Sequence, residues 1–401
     1  MPNKRLIRIA LLGVTVLALA GVVAAQGATL TPVQELGKML FFDTNLSVPP
    51  GQACAACHAP AVGFTGPDSA INAGGSVYEG AVPGRFGNRK PPAAAYASGP
   101  ILHYDSAEEV WVGGTFWDGR ATGWTLGDPL AEQAQGPFLN PLEQNMASPA
   151  DVCLVVQAST YAGLFEAVWG PGSLDCVSNV SLTYEKIGRS IAAYERSSEV
   201  SAFTSKYDYY LAGQANLSGQ EKKGLQLFEG KGKCALCHIS QPGAGGEAPM
   251  FTDFTYDNLG IPKNPLNPFY MMVDFNPEGI DWIDYGLGAF LKSAGFDEMV
   301  WVTELGKVKV PTLRNVDRRP YPEFVKAFGH NGYFKSLEEI THFYNTRDVD
   351  PSWPEPEVDM NVNSDELGNL GLTLDEEAAI VLFMTTLSDG YADANGAVAA
   401  H

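Results

Sequence analysis

Two pentapeptides constrain this chain more than anything else in it: Cys54-Ala55-Ala56-Cys57-His58 and Cys234-Ala235-Leu236-Cys237-His238. In each, two thiols stand one turn apart and an imidazole follows directly behind the second. That spacing lets both sulfurs add to the vinyl groups of one haem while the histidine reaches its iron as proximal ligand. A redox cysteine pair or a zinc site uses similar spacing, but neither requires a histidine behind both pairs. The pattern predicts two covalent haem c groups, held by Cys54, Cys57 and His58 and by Cys234, Cys237 and His238.

A similar helix signature precedes each pentapeptide. Thr31-Pro32-Val33-Gln34 reads as a capping box with proline at the first helical position, and Ser218-Gly219-Gln220-Glu221 reads as a second box. A third, Thr373-Leu374-Asp375-Glu376, opens an apolar helix expected over 377–387, and a helix over 184–195 closes the first half. The repeat predicts a mainly α fold of two cytochrome c-like domains, 28–205 and 206–392, each with one covalent haem. With 43 glycines and 27 prolines the fold is loop-rich, and residues 393–401 read as a flexible Ala/Gly-rich tail.

The first 25 residues read as a secretory signal. Lys4, Arg5 and Arg8 precede an apolar run from Leu11 to Ala20, and Val23-Ala24-Ala25 supplies small residues for cleavage. The run is too short for a membrane span. Export to an oxidising compartment leaves Cys153 and Cys176, outside the pentapeptides, to pair with each other. Without the signal, 23 basic residues face 46 acidic ones, a formal charge of −23. Such a surface excludes nucleic-acid binding and electrostatic attachment to anionic lipid. It suits a protein of the periplasm or cell surface, monomer or homodimer, that meets a redox partner or substrate protein.

Between the pentapeptides lies Phe116-Trp117-Asp118-Gly119-Arg120, then Gln133-Ala134-Gln135-Gly136-Pro137 and Asn140-Pro141-Leu142-Glu143. Further on come Pro311-Thr312-Leu313-Arg314-Asn315-Val316 and Gly329-His330-Asn331-Gly332. In this order, over nearly the whole mature length, the motifs resemble those of the bacterial dihaem cytochrome c peroxidase and MauG family. The resemblance implies that hydrogen peroxide reacts at the N-terminal haem, with Glu143 above its open face. A carboxylate there can take the proton from one peroxide oxygen and deliver it to the other. Gln133 and Pro137 match residues lining the same pocket, and Trp117 matches a tryptophan that relays electrons between the haems. The family also holds a calcium ion between its domains. Asn88 matches its side-chain ligand, while the stretch from Arg318 to Pro320 departs from the family's pattern.

Two further departures carry information. Members that need reductive activation have a histidine shortly after the first pentapeptide, but none occurs here between His58 and His103. The first haem is therefore expected to be open on its distal face. In the peroxidases the second haem takes a methionine fourteen positions after the His330 match. Here that position is Tyr344, as in MauG-type members. A phenolate favours ferric and higher iron where a thioether favours ferrous. Met360 and His342 stand as alternative ligands.

These features predict a peroxide-dependent oxidoreductase of MauG type. It would oxidise an aromatic (tryptophan) side chain of a partner protein through an oxidised state shared by both haems; within the family the chain resembles MauG-like members, among them the surface-associated or copper-related ones of methane-oxidising bacteria. The competing readings are an ordinary cytochrome c peroxidase with small cytochrome or cupredoxin donors, and a non-catalytic electron-transfer cytochrome.

Overall fold

The computed structural model describes residues 29–392; the expected signal segment 1–25 and tail 393–401 lie outside them. Helices dominate. In chain order they are α1 (Pro32–Phe42), α2 (Cys54–Cys57), α3 (Ser69–Ala73), α4 (Pro129–Leu139), α5 (Pro149–Ala158), α6 (Ala162–Trp169) and α7 (Val180–Glu195), then α8 (Lys206–Leu211), α9 (Gly219–Glu229), α10 (Gly286–Ser293), α11 (Glu298–Trp301), α12 (Leu337–Thr346) and α13 (Leu374–Thr385). Two small antiparallel pairs complete the regular structure: β1 (His103–Asp105) with β2 (Val110–Val112), and β3 (Tyr256–Asp257) with β4 (Val308–Lys309).

The three capping boxes start their helices as expected. The Gln34 side chain accepts from the Thr31 N–H at 2.9 Å. Ser218 and Glu221 exchange bonds of 2.6 and 3.2 Å, and Thr373 and Glu376 bonds of 2.9 and 3.3 Å. Helix α13 consequently begins at Leu374, three residues before the stretch read from apolar pattern alone, and α7 begins four residues early, at Val180.

Each half is organised by one close helix crossing. Helix α1 packs on α7 and α9 packs on α13. At both crossings a glycine lets two backbones touch: a Cβ on Gly37 would be driven into the Ser190 carbonyl, and one on Gly224 into the Ala379 carbonyl. Around the first crossing lies a core of Leu36, Leu40, Phe41, Phe138, Phe165, Ile187 and Ile191. Cys153 and Cys176 are bonded within it; closing a loop of that size stabilises by roughly 3 kcal/mol in the chain-entropy model. The second core gathers Tyr207, Phe228, Phe251, Phe334, Phe343, Ile380 and Phe383.

Polar contacts fasten the halves to each other. The Lys335 ammonium lies 2.6–2.8 Å from the carbonyls of Asn72, Gly74 and Gly332 and the Ser76 hydroxyl. Asp389 accepts from the Tyr96 hydroxyl at 2.8 Å and from Asn315 Nδ2 at 2.8 Å. Among the described residues no single helix is long and apolar enough to cross a membrane.

Candidate functional site

Two cavities of nearly equal size share Trp117, Lys90 and Lys309 in their linings. Cys54, Cys57 and His58 line one; Cys234, Cys237 and His238 line the other. The histidines are set in the same way. His58 Nδ1 lies 3.2 Å from the Phe64 carbonyl and His238 Nδ1 lies 2.9 Å from the Phe251 carbonyl. A carbonyl only accepts, so Nδ1 carries the proton and Nε2 keeps its lone pair for a metal. Burial holds both imidazoles below their usual range, His58 down to about 4, which keeps them neutral.

The two carbonyls are turned inward at a cost. Phe64 and Phe251 have φ of +58° and +53°, a region bulky residues avoid, at ~1–3 kcal/mol each. Paired thiols, a neutral imidazole of fixed tautomer and a mostly apolar cavity surface make a donor set suited to haem c in both places.

Gln133, Pro137 and Glu143 also line the first cavity. Gln133 and Pro137 are four residues apart on α4 and so share its face. The Asn-Pro turn that follows brings Glu143 around. Leu142 N–H donates to Asn140 Oδ1 at 2.9 Å, Glu143 N–H donates to the Asn140 carbonyl at 3.0 Å, and the Glu143 carbonyl accepts from Ala81 N–H at 2.7 Å. Burial pushes the Glu143 carboxyl above its usual range, opposed by the Arg120 guanidinium. The cavity is lined by no histidine other than His58 and by no methionine.

Trp117 lines both cavities and is nearly buried, at 7% exposure. Its Nε1 donates to the Lys90 carbonyl at 2.8 Å and its own carbonyl accepts from Lys309 N–H at 2.8 Å. The half-buried Lys90 and Lys309 also border both cavities, their ammonium groups facing carbonyls and the Thr65 hydroxyl. Burial lowers them to about 8 and about 7. Neither lysine was legible as a site residue, because nothing in a lone lysine foretells burial.

In the second cavity Tyr344, carried by α12, is the one proposed ligand that reaches the lining. His342 turns away, its Nδ1 3.0 Å from Glu377 Oε1, and Met360 is 43% exposed at the surface. His103 lies on β1, exposed and bonded to the Ile101 carbonyl. Glu195, missed by the sequence reading, lines the first cavity with one carboxylate oxygen unpartnered and is pushed up by burial to about 8.

Asn88 also lines the first cavity, with its carbonyl accepting from Asn267 Nδ2 at 2.9 Å. In the stretch where the calcium pattern departs, the Arg318 carbonyl faces an ammonium of the chain itself. Lys326 Nζ lies 2.9, 2.6 and 3.2 Å from the carbonyls of Val62, Asn315 and Arg318.

Paired cavities with these donor sets, in a helical and loop-rich chain, define a dihaem c-type oxidoreductase. A profile of the family described as di-haem cytochrome c peroxidase matches residues 32–216. The methylamine utilization protein MauG of Paracoccus denitrificans is 34% identical over 369 residues, covering 88% of each chain. The cytochrome c551 peroxidase of Nitrosomonas europaea is 29% identical, covering 84% of this chain and 83% of its own. Among solved structures, the diheme peroxidase BthA of Burkholderia thailandensis superposes with a TM-score of 0.76 at 30% identity, covering 92% of this chain and 90% of its own. The chain belongs to the di-haem cytochrome c peroxidase and MauG family, and is a peroxide-dependent oxidoreductase with two haem c groups.

Proposed function

We propose that this enzyme works in the MauG manner, taking two electrons from a donor for each hydrogen peroxide and drawing them from an aromatic side chain, a tryptophan, of a partner protein. The observation that carries the reading is the asymmetry of the cavities: the first is lined by no histidine but His58 and by no methionine, and the second is lined by Tyr344. When bound, the haems supply the irons at which peroxide is reduced and from which the donor's electrons are drawn.

The chain's own residues do the rest. Glu143, held by its Asn-Pro turn, takes a proton from the nearer peroxide oxygen and returns it to the farther one. The Gln133 amide orients the peroxide, and Pro137 fixes the shape of the wall. Trp117 bridges the cavities, so an electron deficit created at one is shared with the other. Tyr344 as a ligand favours the more oxidised iron. The domain boundaries 28–205 and 206–392, and an exported location in the periplasm or at the cell surface, belong to this reading. A calcium ion at Asn88 would share the junction with the Lys326 ammonium.

The test is to add hydrogen peroxide to fully oxidised protein and record its absorption spectrum. Immediate change at both haems is expected. Protein that stays inert until it is first reduced would return the chain to the ordinary peroxidases.

A further inference from the structure

Away from the cavities a small satellite core is built largely from aromatic rings. Trp111 and Tyr256 are buried in it with Leu102, Leu287 and Leu291, and Phe290, Phe296 and Trp301 pack around them. We infer that this cluster is the port through which electrons from a basic donor protein reach Trp117. The inference rests on the relay role given to Trp117 above.

From the surface the rings run in close succession as far as Trp111. At the surface, Trp124 and Tyr104 are 48% and 49% exposed. The Trp124 ring centre lies 6.1 Å from Phe296, Phe296 lies 5.3 Å from Trp111, and Tyr104 lies 5.7 Å from Trp111. Trp111 packs with Tyr256, whose hydroxyl donates to the Gly113 carbonyl at 2.6 Å. Tyr256 in turn abuts the Trp117 loop: a Cβ on Gly119 would be driven into its hydroxyl. Lys309, which pairs with Tyr256 across the β3–β4 register, donates its N–H to the Trp117 carbonyl.

Two features set the line apart from ordinary packing. The first is the Trp111 Nε1–H, buried without a hydrogen-bond partner. Buried indoles usually find an acceptor, and leaving a donor unsatisfied costs ~1–3 kcal/mol. A phenylalanine would fill most of the same space without that cost. An indole with no acceptor at hand keeps its proton when it gives up an electron, so the electron can return without any proton moving. Tyr256 differs: its hydroxyl meets only a carbonyl, which cannot take the proton, so its ring bridges and is not itself oxidised.

The second feature is charge. Asp105, Glu108 and Glu109 flank Tyr104 and Trp111, and Asp297 and Glu298 follow Phe296. In the stretches 103–112 and 290–301 the one lysine or arginine is Lys292, whose ammonium lies 4.5 Å over the Trp301 ring. An aromatic patch with an acidic rim steers a basic partner toward it. The balance closes with such a donor. The partner's tryptophan gives two electrons one at a time, releases two protons and gains one oxygen from water, and with those electrons and two protons one hydrogen peroxide becomes two waters.

The experiment uses the full-length diferric holoprotein. Without a donor, under argon and in heavy-oxygen water, peroxide should oxidise the port itself. An indole then loses two electrons and two protons and gains one oxygen from water. Peptide mass spectrometry should find solvent oxygen on Trp124, and Trp111→Phe should abolish that label while the haem spectrum still responds to peroxide at its usual rate. In turnover with a small basic cytochrome c, raising the salt should lower the rate constant by about tenfold, and an acidic cytochrome should show no such loss. Label scattered over other surface residues, or label on Trp124 that survives Trp111→Phe, overturns the port and leaves the peroxide chemistry standing. A haem spectrum untouched by peroxide overturns the MauG-type reading, and the port with it.

Discussion

The two cavities share a floor and differ in their ceilings. Both floors have a glycine-crossed helix pair beneath them, a paired-cysteine turn, and a histidine held by the carbonyl of a phenylalanine with positive φ. What completes the lining of the first, here its ceiling, includes a short helix ended by an Asn-Pro turn that carries Gln133, Pro137 and Glu143; that of the second includes Tyr344 of α12. The floor is a solution to attachment and is used twice. Chemistry is assigned by the ceilings, and it is there that the halves can be set against each other experimentally.

The largest expected effect comes from removing the one titratable group on the first ceiling. Glu143→Gln should leave both haems attached and lower peroxide turnover by about 10²–10⁴-fold, the usual contribution of a general acid–base group. The same residue sets a pH dependence. Its carboxyl is raised by burial and must be ionised to accept the first proton, so wild-type turnover should fall as pH drops through a value above the ordinary carboxylate range. The variant should lose that limb of the profile. Steady-state rates across pH check both points, and unchanged turnover would make Glu143 a loop carboxylate.

A change at the second ceiling should act on the iron environment more than on the rate of peroxide attack. Wild-type diferric protein is expected to show one high-spin and one low-spin haem by electron paramagnetic resonance. Tyr344→Phe should convert the low-spin signal to high spin. Two low-spin signals in the wild type would contradict an open first cavity.

The smallest effects are expected on the floors, where they should also be equal. Gly37→Ala and Gly224→Ala each push a methyl into a facing backbone carbonyl, and overpacking of that kind costs typically ~1–3 kcal/mol. Denaturant titrations of the two variants should give similar losses. A loss confined to one half would show that the shared crossing is not equally used.

Much of this was legible in the chain because the relevant signals are local. The cysteine turns, the capping boxes and the Phe116–Arg120 and Gln133–Glu143 motifs all declare themselves within a few residues. Tyr344 was reached by counting from His330, and the cavity lining sets it apart from His342 and Met360. What could not be read depends on partners distant in sequence. Lys90, Lys309 and Lys326 look like ordinary surface lysines until carbonyls from other segments surround them. Glu195 is an unremarked helix-end carboxylate until α7 turns it toward the first cavity. Phe64 and Phe251 give no sign of left-handed backbone, because that conformation is imposed by packing and opposed by their own side chains.

Those two phenylalanines bear on how firmly each histidine is oriented. Each carbonyl fixes its imidazole through hydrogen bonds internal to the chain, so folding alone selects the tautomer. Each imidazole therefore offers Nε2, and only Nε2, to an iron. A glycine at either position would relax the backbone, but it would also free the carbonyl to swing and the imidazole to turn with it. The strain is what keeps each imidazole from turning.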